Sequence, residues 1–143
     1  MRKIIKYNVV LNGLCLTELL DLSDVEVRGN FNCHSNNLTS LEGAPKTVGG
    51  DFKCHSNNLT SLEGAPKTVG GAFLCDNNNL TSLSGGPVTV GGNFNCRRNK
   101  LTSLEGIPKT INDHFIIDES LKDRFPEEFI RRLCEIKGGV VYF

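Results

Sequence analysis

The chain has 143 residues, with 16 lysines and arginines against 16 aspartates and glutamates and a formal net charge of zero. That length fits one domain with a continuous core, and the balanced charge argues against a protein held on nucleic acid or an anionic membrane by a global field. No apolar run approaches the roughly 18 residues of a membrane span, and the opening MRKIIKYNVVLNG lacks the sustained apolar region and cleavage site of a secretory signal.

Residues 1–26 are expected to form an N-terminal cap with a shortened first coil. IIKYNVVLNGLCL has strand-like content, and Leu14 and Leu16 align with Phe31 and Cys33 of the next unit. From residue 27 to 117 the chain repeats itself. Cys33, Cys54, Cys75 and Cys96 recur at a constant step of 21 residues. Phe31, Phe52, Phe73 and Phe94 keep the same step, as do Asn36, Asn57, Asn78 and Asn99 and the leucines from Leu38 and Leu41 onward. A short fixed period means stacked units, each burying its apolar face against its neighbours.

Within a unit, Phe52-Lys53-Cys54 alternates as a half-buried strand does. Phe52 and Cys54 are expected to point inward, and Asp51, Lys53 and His55 outward. Asn57 ends the strand and suits a turn whose side chain bonds to backbone groups of its own and the adjacent coil. Pro66 excludes a helix interior on the return side, which reads as extended or polyproline-like. Gly70-Gly71 is read as a tight corner permitted by glycine's conformational freedom.

The pattern GxxFxCxxNxL followed by TSL resembles the leucine-rich-repeat core, with Phe and Cys replacing two leucines. LTSLEGAP is similar to the short bacterial-type repeats of enteric effectors, and LTSLEGAPKTVGG to short repeat proteins of tailed phages. The resemblance implies a leucine-rich-repeat solenoid with a parallel β-sheet on one face and a C-terminal helical cap. It further implies a phage-encoded protein of the infected bacterial cytoplasm that acts on a host or defence protein. The ubiquitin-ligase chemistry associated with such effectors belongs to a separate large domain, so no enzyme activity is expected.

After Ile111 the repeat decays. In residues 118–143, Pro126 is expected to open a cap helix with Phe129, Ile130, Leu133 and Ile136 as its apolar stripe, and Gly138-Gly139 to close it. Val140 to Phe143 is then an apolar tail that packs on the cap or pairs with another chain.

Six cysteines can signal a secreted disulfide scaffold. Here four of them occupy one repeat position that otherwise takes leucine, the usage of a small buried hydrophobe in a reducing compartment. Cys33-His34 and Cys54-His55 invite a zinc reading, but adjacent residues on a strand face opposite ways, and the pair becomes Cys75-Asp76 and Cys96-Arg97. No metal or other cofactor is expected. Cys134, beside Arg131 and Arg132, is read as a packed thiol. The two threonine columns lie on different corners and are read as structural, and the Glu42–Lys46, Glu63–Lys67 and Glu105–Lys109 pairs as exposed charge partners of little worth.

What varies from unit to unit is the outer strand face. Asn32, His34, Lys53, His55, Leu74, Asp76, Asn95 and Arg97, flanked by Arg98 and Lys100, are therefore the candidate partner-binding residues. A rigid array of about four to six strands at ~4.8 Å spacing would offer a surface ~20–25 Å long. The expected function is a non-enzymatic protein–protein interaction module. A self-assembling protein joined through a coil end or the tail, as a homodimer for instance, is the second reading. Nucleic-acid binding through the Arg97–Lys100 patch is the third, disfavoured by the missing aromatic interleaving.

Overall fold

The computed structural model describes residues 2–143. The chain winds through about seven turns of a parallel β-solenoid whose two sheets are built from alternate strands. The first sheet contains β1 (Lys3–Ile5), β3 (Val25–Val27), β5 (Thr47–Val48), β7 (Thr68–Val69), β9 (Thr89–Val90), β11 (Thr110–Ile111) and β13 (Glu135–Ile136). The second contains β2 (Val9–Val10), β4 (Phe31–Asn32), β6 (Phe52–Lys53), β8 (Phe73–Leu74), β10 (Phe94–Asn95), β12 (Phe115–Ile117) and β14 (Val140–Tyr142). Each coil contributes one strand to each sheet, so both seven-stranded sheets run the length of the molecule.

The return side is thus only partly polyproline-like. After each buried proline, a Thr-Val or Thr-Ile pair forms a strand, its β-branched side chains suiting a pleated surface. The expectation of a sheet on one face falls short because two-residue strands leave almost no alternation to read. It also undercounts the strands, which number seven per sheet.

The registers align identical residues in columns. Phe31, Phe52, Phe73, Phe94 and Phe115 are fully buried and stack face to offset face, with ring centroids 5.2 to 5.8 Å apart and planes within 14°. Cys33, Cys54, Cys75 and Cys96 form the neighbouring column, also fully buried, and the Leu38 and Leu41 columns close the core. The asparagines occupy the turn after the second sheet. Asn57 Nδ2 donates to the carbonyls of Cys33 and Cys54 at 3.1 Å, while its Oδ1 accepts from Leu38 N at 3.0 Å. Asn78 and Asn99 repeat this one coil further on. One side chain therefore joins two coils and satisfies backbone groups that a turn leaves orphaned. The residue before each of them, Ser35, Ser56, Asn77 or Arg98, is held in the left-handed region at φ of 53 to 58°.

The paired glycines serve another purpose than conformational freedom. Gly49, Gly70 and Gly91 have ordinary backbone angles, but a Cβ on Gly70 would collide with the carbonyl oxygen of Gly49, and one on Gly91 with that of Gly70. Close approach of successive coils, rather than a sharp corner, requires them. The left-handed glycines are instead Gly13, at φ of 68°, and the repeat positions Gly43, Gly64, Gly85 and Gly106, at φ of 82 to 91°.

Both terminal segments are coils themselves. In the first, Val9 pairs with Phe31, and the step is 22 residues rather than 21. The expected alignment of Leu14 and Leu16 with Phe31 and Cys33 is therefore incorrect. Leu14 and Leu16 lie at the turn, where their amides donate to Asn36 Oδ1, and Leu14 is 58% exposed. The first coil is one residue longer than the repeat, not shorter.

In the last coil the step is 25 residues, and the excess is taken up by a turn of 3-10 helix at Glu119–Leu121 and by α1 (Glu127–Leu133). The helix is shorter than the apolar stripe suggested. Only Ile130 is buried within it, Phe129 and Leu133 are exposed, and Ile136 belongs to β13. The apolar tail is β14, paired with β12 in register Phe115 to Val140 and Ile117 to Tyr142. Periodicity of 3.6 and strand alternation overlap in so short a stretch, and β-branched Val140-Val141 decides for the sheet.

Candidate functional site

The second sheet's outer side carries the sequence's varying residues in two columns. One runs Val10, Asn32, Lys53, Leu74, Asn95, Ile116 and Val141 along the paired strands. Beside it, one residue past the buried cysteines, lie His34, His55, Asp76 and Arg97. All eight candidate strand positions are half-buried, whereas Arg98 and Lys100 are exposed at the turn. The thiols and the imidazoles fall on opposite sides of the strands, as alternation requires.

The face has internal structure. The His34 and His55 rings stack with centroids 4.3 Å apart and planes 10° off parallel, and each Nδ1 sits beside the following serine hydroxyl. Burial, the neighbouring His55 and Lys53 together hold His34 below the usual histidine range, so its imidazole is neutral at pH 7. Asn32 Oδ1 and Arg97 Nε are shielded from solvent without a hydrogen-bond partner. The Arg97 guanidinium lies over the Phe143 ring, 4.2 Å from its centroid, and the Arg98 amide donates to both carboxylate oxygens of Asp118 at 2.9 and 3.0 Å. Of the three cations of the last repeat, Arg97 is laid against an aromatic ring, while Arg98 meets Asp118 through its backbone amide and not through its guanidinium.

Sequence reading missed the column that borders this face. Asn8 Oδ1 accepts from Asn30 N, Asn30 Oδ1 from Asp51 N, and Asp51 Oδ1 from Ala72 N, each at 2.8 Å. After Ala72 interrupts it, the series resumes with Asn93 Oδ1 accepting from His114 N and His114 Nδ1 from Gly139 N. Asp51 is thus a brace between coils rather than an outward surface charge. The signal was a polar acceptor just before the buried Phe position, hidden because Asn, Asp and His share the role and Ala72 interrupts them.

Burial pushes the column thiols up: Cys33 to about 12, Cys96 far above its usual range, and Cys54 and Cys75 well above theirs. Cys134, buried at the end of α1, is raised to about 11, first by burial and then by Glu135, so Arg131 and Arg132 do not activate it. Arg131 instead donates to Glu127 and to the carbonyls of Ile136 and Gly138, clamping helix to strand. Among the described residues, none of the three Glu–Lys pairs of the return face makes an ion pair.

A depression of about 680 Å³ lies away from the strand face between the first two coils, beside Glu18, Asp21 and Glu42. It is open to solvent and brings no buried polar group to a focus. No helix is long and apolar enough to cross a membrane among the described residues. Comparison with protein-family models, curated proteins and solved structures finds no significant match to this chain.

Proposed function

We propose that the chain is a non-enzymatic protein-binding module, a solenoid of leucine-rich-repeat type whose partner docks on the outer side of the second sheet. One observation carries the reading: the Phe, Cys and Leu columns of the core keep one residue type through the inner coils, while the outward columns of the second sheet change from coil to coil.

The parallel sheets make this face rigid before binding, which lowers the ordering cost that association must overcome. The resemblance to phage repeat proteins suggests a bacterial host or defence protein as partner, in the cytoplasm of an infected cell. Affinity capture from bacterial lysate, read by mass spectrometry, tests the reading. A specific partner should be recovered, and its capture should weaken when Lys53, His55 and Arg97 are together changed to alanine. Capture indifferent to those three residues, or no partner, overturns the assignment of this face.

A further inference from the structure

We propose that His114 is an acid-sensitive brace, holding the last coil against its neighbour while its imidazole is neutral and releasing it when the ring is protonated. His114 closes the series that borders the second sheet, in which Asn8, Asn30, Asp51 and Asn93 each accept an amide of the next coil. Gly139 N donates to its Nδ1 at 2.8 Å, directly before β14 begins at Val140. Of the residue types in this series, only histidine ordinarily changes charge between pH 5 and 8.

The ring has a partner for each of its charge states. A nitrogen that accepts carries no proton, so the neutral ring bears its proton on Nε2, which lies 3.4 Å from Asp113 Oδ1. Protonation turns Nδ1 into a donor as well. Two N–H groups then face each other where one bond stood, while the imidazolium gains Asp113 as its counter-ion. The other charged groups nearby are Lys137, one residue before Gly138, and Arg131 of α1, whose guanidinium donates to the Gly138 carbonyl. Both oppose a further positive charge, and Asp113 favours it. Asn93, which accepts the His114 amide from the inner side, is neutral.

The release is local. Gly138 N still donates to the Asp113 carbonyl and Phe115 N to that of Gly139, so β14 stays paired with β12 but opens more often. Phe143, just past the end of β14, carries the ring that covers the Arg97 guanidinium. Acid therefore uncovers Arg97 more often, which regulates binding if the strand-face reading above, on which this last step rests, is correct.

Amide hydrogen exchange on the full chain, expressed as protection relative to the unstructured rate at each pH, tests the brace. Protection of the Gly139 amide should fall about fivefold between roughly pH 7.5 and pH 5.5, the effect of losing one hydrogen bond. H114N places here the residue that Asn30 and Asn93 already are in the same role, so it should keep the protection at both pH values. H114A should show the low protection at both. D113N, which removes the partner of the charged ring, should lose protection only in stronger acid. Level protection in the native chain, a fall that persists in H114N, full protection in H114A or a response unchanged by D113N would each overturn the proposal. No partner enters the measurement, so the strand-face reading stands or falls separately.

Discussion

The inner coils and the two terminal coils share one set of registers but fill them by different means. From Phe31 to Phe115 each ring has an identical ring on at least one side, and planarity lets the stack repeat without a void. The flanking positions are Val9 and Val140, half-buried, each with one covered side. The asparagine series is likewise complete inside and absent at the ends, where Leu14 stands in the first coil without that side chain's three bonds. A residue is repeated where it stacks on its own copy, and replaced where it has nothing to stack on. Stability should accordingly be concentrated inside and should fall toward both ends, as expected of a nearest-neighbour array.

The largest effect that sharpens this contrast is one of pH. The four column thiols stay protonated in the folded chain well above the ordinary value of 9.0, whereas the unfolded chain releases its protons there. The unfolded state then binds fewer protons, so stability is level below about pH 8.5 and falls as pH rises, by up to ~1.4 kcal/mol per pH unit for each thiol. Urea unfolding at pH 8 and pH 10 should show a loss of several kcal/mol under reducing conditions. An unchanged midpoint would mean that the column is not held as described.

A smaller break comes from Phe73→Ala, expected to cost ~3–5 kcal/mol by opening a cavity at the centre of the ring stack. Val140→Ala at the edge should cost no more than about 1.5 kcal/mol, since its side chain is only half-covered. Equal losses in denaturant titrations would erase the distinction between interior and ends. Asn57→Ala follows at about 2–3 kcal/mol, because it strips partners from the buried amide of Leu38 and the carbonyls of Cys33 and Cys54. Asn99→Ala should cost less, as Asn99 is half-exposed where Asn57 is buried. The smallest change is Lys67→Ala, an exposed residue without an ion pair among the described residues, which should shift stability by less than about 0.5 kcal/mol.

The same contrast governs what the sequence disclosed. The Phe, Cys, Asn and Leu columns were legible because a strict period assigns each position its place without any propensity argument. The terminal coils were not, because one extra residue in the first and four in the last shift the phase, and Val9 and Val140 then look unrelated to Phe31. The first sheet was obscured by strands of two residues, too short for alternation to register. At the candidate site, the face was legible as the set of positions that refuse to repeat. The stacking of His34 on His55, the seat of Arg97 on Phe143 and the role of Asp51 as a brace depend on contacts between coils, which a residue list does not order.

The collision that excludes a side chain at Gly70 has a consequence for how such a chain changes over generations. Since successive backbones touch at the glycine pairs, the coils bounded by Gly49-Gly50, Gly70-Gly71 and Gly91-Gly92 end and begin in the same way. Removing or duplicating any 21-residue unit between two such pairs rejoins like to like, and the flanking coils meet the contacts they had before. A lineage can therefore lengthen or shorten its outward face by whole coils through unequal recombination, and can then vary Lys53 or Asp76 in each copy independently. Point substitution tunes the surface, whereas duplication sets its extent.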